Sequence, residues 1–436
     1  MRNGLGMQAA EAAVADPLAR TLVAAHYAID GRHLIAGGMT VESLADRFGT
    51  PLFVYDAAVM RRSFATLKSA LEGFADIVFS IKANPNPAIA RLFVEMGAGI
   101  EIASLGEYER ARNAGAAPHD ILFAGPAKRD TELDRVIGEG IGEIHLESFE
   151  EIARADAIAG RAGKRVAVSI RINPVAAAQG GAMRMGGKPS PFGFDEEQCD
   201  AVLRAVASAA NLDLCGVHLF AGTQILDADV LLGQWRHGLD VAGRIARATG
   251  RPLRSIDLGG GLGIPYYSGD APLDLAAVRG GLDVLLKAKR SEPLIRDARV
   301  IVEPGRYLTG PGGLYVASVI ASKLSRGTRF IVTDGGMHHH LAASGNLGQV
   351  IKRDYPVVAP ARMDSTEFER STVAGPLCTP LDTLARAANL PMLRAGDLVA
   401  VMQSGAYGLS ASPNGFLSHP TAAEILVDQG HAVVIG

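Results

Sequence analysis

Cysteine is scarce in this chain. Cys199, Cys215 and Cys378 are too few and too scattered among 436 residues for a disulfide framework or a zinc site. They fit a reducing cytoplasm. Excess charge of one sign is also lacking. A net charge of -3 gives no reason to expect a nucleic-acid partner. No apolar run is long enough to span a membrane. The stretch MRNGLGMQAAEAAVADPLAR contains Glu11 and Asp16 and lacks a long apolar core, so it does not read as a signal peptide. What is present is ordinary: 48% apolar and 20% charged residues, in a chain long enough for two or three domains.

From residue 57 a rhythm sets in. Amphipathic segments alternate with short apolar runs that end in polar residues or glycine. The runs end at Lys82, Ser104, Gly125, Ser148, Pro174, Gly222, Gly261 and Arg306. Helical stretches such as Glu107–Ala114, Thr131–Glu139 and Asp229–Thr249 lie between them. Continuous apolar strands alternating with helices predict parallel pairing buried on both faces. Eight of them predict an α/β fold of the (β/α)8 TIM type, with an open doubly wound sheet as the alternative. In a barrel, the C-terminal strand ends form the active-site face. After about residue 311 the pattern changes to strands separated by turns, which predicts a C-terminal, mostly antiparallel β domain. The expected organisation is a loose segment over 1–25, a strand and helix over 26–47 joining the β domain, the barrel over 48–310 and the β domain over 311–436.

Several strand ends carry reactive residue types. FSIKANPN (Phe79–Asn86) delivers Lys82 from an apolar run to a turn. Lysine in such a place is either a snorkelling strand-end residue or a reactive amine. Desolvation there is expected to lower its pKa. DLGGGLG (Asp257–Gly263) is either a tight turn or a loop whose N–H groups approach a phosphate. Gly305 and Arg306, in EPGRY at the next strand end, favour phosphate. Glu303 is either an ion-paired strand end or an acid for a protonated ring nitrogen. Cys378 lies in a loop between Pro376 and Pro380. Tyr407, between Ala406 and Gly408, suits either a binding site or a domain junction. His338, His339 and His340 are adjacent, so they do not face one way, and the triplet reads as non-metal. A strand-end lysine, a phosphate loop and an acid together suggest pyridoxal phosphate chemistry.

The motifs FGTPLFVYD, IKANPN, ASLGE, SIRINP, GTQI, DLGGGLG, EPGRY, DGGM, GPLC and GAYG occur in this order. The chain from about residue 40 resembles the fold type III pyridoxal phosphate-dependent decarboxylases, the group of diaminopimelate, ornithine and arginine decarboxylases. The resemblance implies a homodimer with shared active sites. It implies that Lys82 holds the cofactor as a Schiff base and that Glu303 pairs with the pyridine nitrogen. Gly259, Gly260, Gly261, Gly305 and Arg306 would form the phosphate site, closed by Tyr407. Cys378, Asp382 and Tyr407 would contact substrate, with Cys378 the proton donor to the substrate carbon. Racemases of this fold type present arginine to the ring nitrogen, so Glu303 favours decarboxylation.

Three departures bear on the substrate. Diaminopimelate decarboxylases have CES at the cysteine loop, where this chain has Thr379 after Cys378. Their distal-carboxylate arginine and tyrosine align with Ala342 and Asn346. Their second histidine in H-x-H-I-G-S-Q aligns with Phe220, and the first with His218. Phe220 is expected to cover the cofactor ring, and His218 to lie close by. HLFAGTQ, DGGMHHHLAASGN, GPLCTPLD and SASPNGFLSHP resemble a subgroup from biosynthetic and exopolysaccharide clusters. That subgroup includes a decarboxylase of a carrier-protein-tethered glutamyl group. The expected substrate is an L-amino acid or an aminoacyl group on an acyl carrier protein. The alternative is a free diaminopimelate- or ornithine-type substrate.

Overall fold

The computed structural model describes residues 16–174, 183–184, 189–220, 222–347, 349 and 351–436. The chain forms two compact units. One holds Arg61–Ile264 and Ala271–Leu308. The other holds everything before Arg61, with Pro265–Asp270 and Thr309–Gly436.

The first unit contains eight parallel strands: β1 Asp76–Ser80, β2 Gly99–Ile102, β3 Ile121–Phe123, β4 Glu143–Leu146, β5 Val166–Asn173, β6 Leu212–Leu219, β7 Ser255–Asp257 and β8 Arg299–Val302. Each pairs with the next, and β8 returns to β1 through Ile301 opposite Asp76 and Val302 opposite Ile77. The sheet is therefore closed, as expected, and the open-sheet alternative falls. All four residues of β2 and of β4 are buried. That double-sided burial is why apolar runs rather than alternating ones mark these strands.

The polar residues that end the runs also start helices. Ser104 Oγ accepts from the Glu107 N–H at the head of helix Leu105–Asn113. Ser148 Oγ does the same for Glu151 at the head of Phe149–Arg161. Asn86 caps Pro87–Glu95, where Pro87 occupies the first helical position and needs no N–H partner. A cap fixes where each helix leaves its strand, and so fixes the barrel mouth.

The second unit is a mixed but mainly antiparallel sheet built on the long strand Gly313–Ser325. That strand pairs antiparallel with Thr328–Thr333, Leu398–Val401 and Leu52–Asp56. Leu52–Asp56 also pairs parallel with Ala423–Asp428. Residues 48–60, expected at the head of the barrel, thus fall in the second unit, with Leu52–Asp56 a strand of its sheet. An apolar strand reads alike for either sheet, and only its partners decide. The short strands Ala28–Asp30, His33–Ala36 and Met39–Thr40 form a sheet of their own. Leu34, Ala36, Val41 and Leu44 share one core with Leu52, Val54, Leu314 and Val316. Part of the segment expected to be loose is ordered. Pro17–His26 is a helix whose first N–H groups donate to Asp16, and Leu18, Leu22 and Val23 join the same core. Residues 1–15 lie outside the described residues.

Candidate active site

The barrel strands gather the candidate residues at their C-terminal ends. Lys82 follows β1 in a single helical turn, Ile81–Ala83. Its Nζ lies 3.2 Å from Oε2 and 3.4 Å from Oε1 of Glu101 on β2. The Ser80 hydroxyl donates to the same Oε2 at 2.6 Å. Glu101 is 2% exposed, whereas the Lys82 side chain is 47% exposed. Lys82 is half exposed, and an anchored buried carboxylate sits beside it. Glu101 was visible in the sequence as an acid inside the apolar run GIEI. Its relation to Lys82 was not, because the two meet only when β1 and β2 pair.

Glu303 follows β8 and is buried. Its Oε2 lies 3.4 Å from His218 Nε2 on β6, and its Oε1 has no hydrogen-bond partner among the described residues. The His218 ring stacks on His145 from β4, centroids 4.3 Å apart. His145 Nε2 is 3.4 Å from Glu143 and 3.8 Å from Asp257. Burial pushes the His218 imidazole down to about 4, against the pull of Glu303, so the ring is neutral near pH 7. Burial raises the Glu303 carboxyl, but His218, with His145 and Lys82 behind it, more than reverses this and holds it below its usual range.

The glycine run after β7 meets the β8 turn. Gly259 has φ +67°, and a Cβ there would stand 2.4 Å from the Leu219 carbonyl oxygen. A Cβ on Gly260 would stand 2.5 Å from the Glu303 carbonyl oxygen. The Glu303 N–H donates to the Gly259 carbonyl at 2.9 Å. Gly305 is equally confined, against Ala83 and Ser80. Arg306 opens the short helix Arg306–Thr309. The half-buried Phe220 ring lies along Gly259 and Gly260, its edge 3.3 Å from where a Gly259 Cβ would be. His218 is 1% exposed, inside the barrel. Phe220, not His218, therefore borders the glycine loop.

The remaining candidates belong to the sheet unit. Cys378 is exposed on its loop. Tyr407 is held at φ +53°, a conformation that costs of order 1–3 kcal/mol for a non-glycine residue. Asp382, expected to contact substrate, is 3% exposed and committed to its own chain. Its Oδ1 accepts from Met337 N–H at 2.7 Å and its Oδ2 from Leu377 N–H at 2.8 Å. Gly336 and Gly375 close on it so tightly that a Cβ on either would come within 2.3 Å of its oxygens. Asp382 anchors the cysteine loop to the turn before the histidine triplet.

The triplet has divergent partners. His339 Nε2 donates to the Pro420 carbonyl at 2.8 Å, and His340 Nε2 donates to Ser404 Oγ at 3.0 Å. Burial pushes His340 down to about 3 from its ordinary 6.5. A neutral buried histidine stabilises the fold fully above 6.5. The unfolded chain takes up its proton first, so that contribution drains as pH falls towards 3, by about 1.4 kcal/mol per pH unit. His340→Gln cannot protonate. Its stability deficit relative to the parent chain should shrink by about 2–3 kcal/mol between pH 6.5 and 4.5 in denaturant titrations. A constant deficit would contradict a neutral His340.

The profile of the family described as pyridoxal-dependent decarboxylase, pyridoxal binding domain, matches residues 57–310. The chain belongs to the pyridoxal-dependent decarboxylases. It is 39% identical over 393 residues to the L-glutamyl-[BtrI acyl-carrier protein] decarboxylase of Niallia circulans, covering 89% of this chain and 91% of that one. It is 34% identical over 412 residues to the diaminopimelate decarboxylase of Methanothermobacter thermautotrophicus, covering 93% of each. The structure of Helicobacter pylori diaminopimelate decarboxylase complexed with L-lysine superposes with a TM-score of 0.80 at 29% identity, covering 90% of this chain and 95% of that one. This decarboxylase uses pyridoxal phosphate and has the barrel-plus-sheet fold expected of its family. The residues at the barrel mouth fit that cofactor. A half-exposed amine, a buried acid with an unpartnered oxygen and a glycine cradle that excludes side chains match its aldehyde, ring nitrogen and phosphate. Among the described residues, no helix is long and apolar enough to cross a membrane.

Proposed function

We propose that this decarboxylase acts on an aminoacyl group tethered to an acyl carrier protein, or on an L-amino acid with no charged distal group. The observation that carries this is the state of three positions where diaminopimelate decarboxylases read the far end of their substrate. Ala342 is apolar and buried. The Asn346 amide donates to the Leu381 carbonyl at 3.1 Å and to Ser344 Oγ at 2.6 Å, while its oxygen accepts from Lys352. The Thr379 hydroxyl accepts from the Leu381 N–H at 3.3 Å. None of these offers an uncommitted charge or fork for an ammonium or carboxylate. The likeness to the Niallia circulans enzyme supports the carrier-bound reading.

In this reading Lys82 holds the cofactor covalently, and Glu101 orients the amine while the Ser80 hydroxyl orients Glu101. The N–H groups of Gly260, Gly261 and Gly305, with Arg306, bind the phosphate, the Gly259 N–H being held by Asp257 Oδ1, and Tyr407 closes it. Phe220 covers one face of the ring. Glu303 keeps the proton on the ring nitrogen. Pyridoxal phosphate, when bound, accepts the electron pair left at the substrate Cα as carbon dioxide departs. Cys378 returns a proton to that carbon. Asp382 positions the Cys378 loop. In a homodimer with shared sites, as the resemblance implies, Cys378 and Tyr407 would serve the neighbouring subunit's site, with Asp382 behind the Cys378 loop. Three free cysteines suit a cytoplasmic setting.

The test is a panel of free and carrier-tethered L-amino acids, scored by product mass and released carbon dioxide. A tethered substrate, glutamyl among them, should exceed every free amino acid by at least about 10²-fold in kcat/KM. Fast turnover of free diaminopimelate, at the rate of a lysine-forming enzyme, would overturn the reading. It would install the diaminopimelate- or ornithine-type alternative.

A further inference from the structure

The sheet unit holds a cavity of about 390 Å3 that the decarboxylation scheme does not use. That volume lies in the range of small-molecule sites, roughly 300–1,000 Å3. Lys352, Arg353 and Arg386 give it a cationic wall, with Tyr267 and Ser268 also lining it. Residues 387–389 supply a further wall. They belong to Thr383–Leu390, which among the described residues pairs only with Glu369–Ala374 and so edges its sheet. An edge strand offers N–H and C=O groups to an extended chain laid beside it.

The cavity adjoins the positions where the far end of a substrate would be read. Lys352 lines it, and its Nζ donates to Asn346 Oδ1. Arg386 lines it too, and its Nη2 donates to the Ser344 carbonyl at 2.9 Å. Reaction chemistry says what leaves a site at that end. Decarboxylation breaks the bond from Cα to the α-carboxyl, so that carboxyl must be a free carboxylate. A carrier thioester on the same amino acid must then sit on a side-chain carboxyl, and the tether departs from the far end. The tether is a phosphopantetheine arm, an extended chain with two amides and a phosphodiester at its root. We propose that this cavity is the subsite for that arm, with Arg353 holding the phosphodiester and the edge strand meeting the amides. The proposal rests on the carrier-bound reading above.

The charges around the cavity favour an anion. Asp16 and Asp354 also line it, but both are spent on their own chain. Asp16 Oδ1 accepts from the Leu18 and Ala19 N–H groups at the head of a helix. Asp354 Oδ2 accepts from the Arg386 and Ala387 N–H groups at 2.7 and 2.9 Å, and its Oδ1 from the Arg386 side chain at 3.2 Å. Arg353 is less committed. Its guanidinium lies 3.8 Å from the centre of the Tyr267 ring and 3.9 Å from Asp270 Oδ1, the latter beyond hydrogen-bond reach. Asp270 Oδ2 accepts instead from the Tyr266 and Tyr267 N–H groups, each at 3.1 Å. An arginine held over an aromatic face keeps its planar fork of donors, and that fork matches a phosphate.

Calorimetry on the holoenzyme, with phosphopantetheine and pantetheine as probes, tests the subsite without turnover. The phosphate-bearing probe should bind at least about tenfold more tightly, and Arg353→Glu should erase the difference. Ser268→Trp keeps every charge but fills the cavity, and it should weaken both probes by about tenfold or more. Turnover gives a second readout, with glutamyl thioesters joined through the side-chain carboxyl to phosphopantetheine or to the short N-acetylcysteamine. In the parent chain kcat/KM should favour the long arm by at least about 30-fold, and in both variants that ratio should fall towards one. The ratio is internal to each variant, so a general loss of activity does not disguise it. Equal binding of the two probes to the parent chain, or a ratio that neither variant lowers, would overturn the proposal. So would a drop to monomer mass in Arg353→Glu by light scattering, which would assign this wall to contact between copies of the chain. The carrier itself separates the two layers. A parent chain that prefers free amino acids to carrier-bound ones overturns the carrier reading and this subsite with it. A preference for carrier-bound substrate that both variants keep in full overturns the subsite alone.

Discussion

Replacing Lys82 with alanine is expected to lower kcat by roughly 10³-fold or more and to abolish the visible absorbance of the bound cofactor. The physical reason is local. Lys82 is the amine at the end of β1 held by the barrel at a fixed place, 3.2 Å from an anchored carboxylate. Alanine removes the nucleophile and leaves Glu101 with Ser80 as its remaining donor at Oε2. Because the Lys82 side chain is 47% exposed, its loss should leave the folded state largely intact. Circular dichroism should overlay with the parent, and only the spectrum and the rate should change. A Lys82→Ala enzyme that keeps more than a tenth of its activity would show that another group does this work. Such a result would also return Lys82 to the role of a snorkelling strand-end residue.

The second large effect belongs to Glu303. Glu303→Gln is nearly isosteric and can still accept from His218, but it no longer carries a charge behind the ring nitrogen. A preorganised charge of this kind is typically worth about 10²–10³ in kcat. The loss should appear in kcat far more than in KM, because the charge matters most when electrons flow toward the ring. Stability should fall as well, because surroundings that hold the Glu303 carboxyl below its usual range stabilise the fold through its anion at neutral pH. Urea denaturation of the apo chain is the check. A variant that loses rate while still cooperatively folded under assay conditions supports a catalytic charge. If the rate is lost only where the variant is unfolded, Glu303 serves the barrel core instead.

Much of this site was legible in the sequence, and for an identifiable reason. Lys82, Gly259–Gly261, Glu303 and Arg306 all break an apolar strand or follow one directly. Strand ends of a parallel barrel converge by construction, so a list of polar strand ends is already a list of neighbours. The groups that tune those residues were not legible. Glu101, His145 and Asp257 stand within or at the ends of short strands, and each reads only as an odd polar residue in an apolar run. Asp382 misled for a related reason. Its place in GPLCTPLD suggests substrate contact, whereas its oxygens are spent on the backbone N–H groups of Met337 and Leu377.

The sequence by itself determined the eight strands, their parallel order, the change to turn-linked strands near residue 311 and the lysine at the first strand end. These follow from local properties: which residues are apolar in a row, where glycine or proline interrupts them, and which polar residue comes next. Tertiary structure alone decided three things. It assigned Leu52–Asp56 to the sheet unit, since two sheets compete for the same apolar strand and only hydrogen-bond partners choose. It set the half-exposed Lys82 amine beside Glu101, since the two meet only when β1 and β2 pair. It brought His145, His218 and Asp257 around Glu303, their ligating atoms within 4.8 Å of one another although they come from four separate strand ends. Such a cluster is a property of strand pairing, and no segment of sequence contains it.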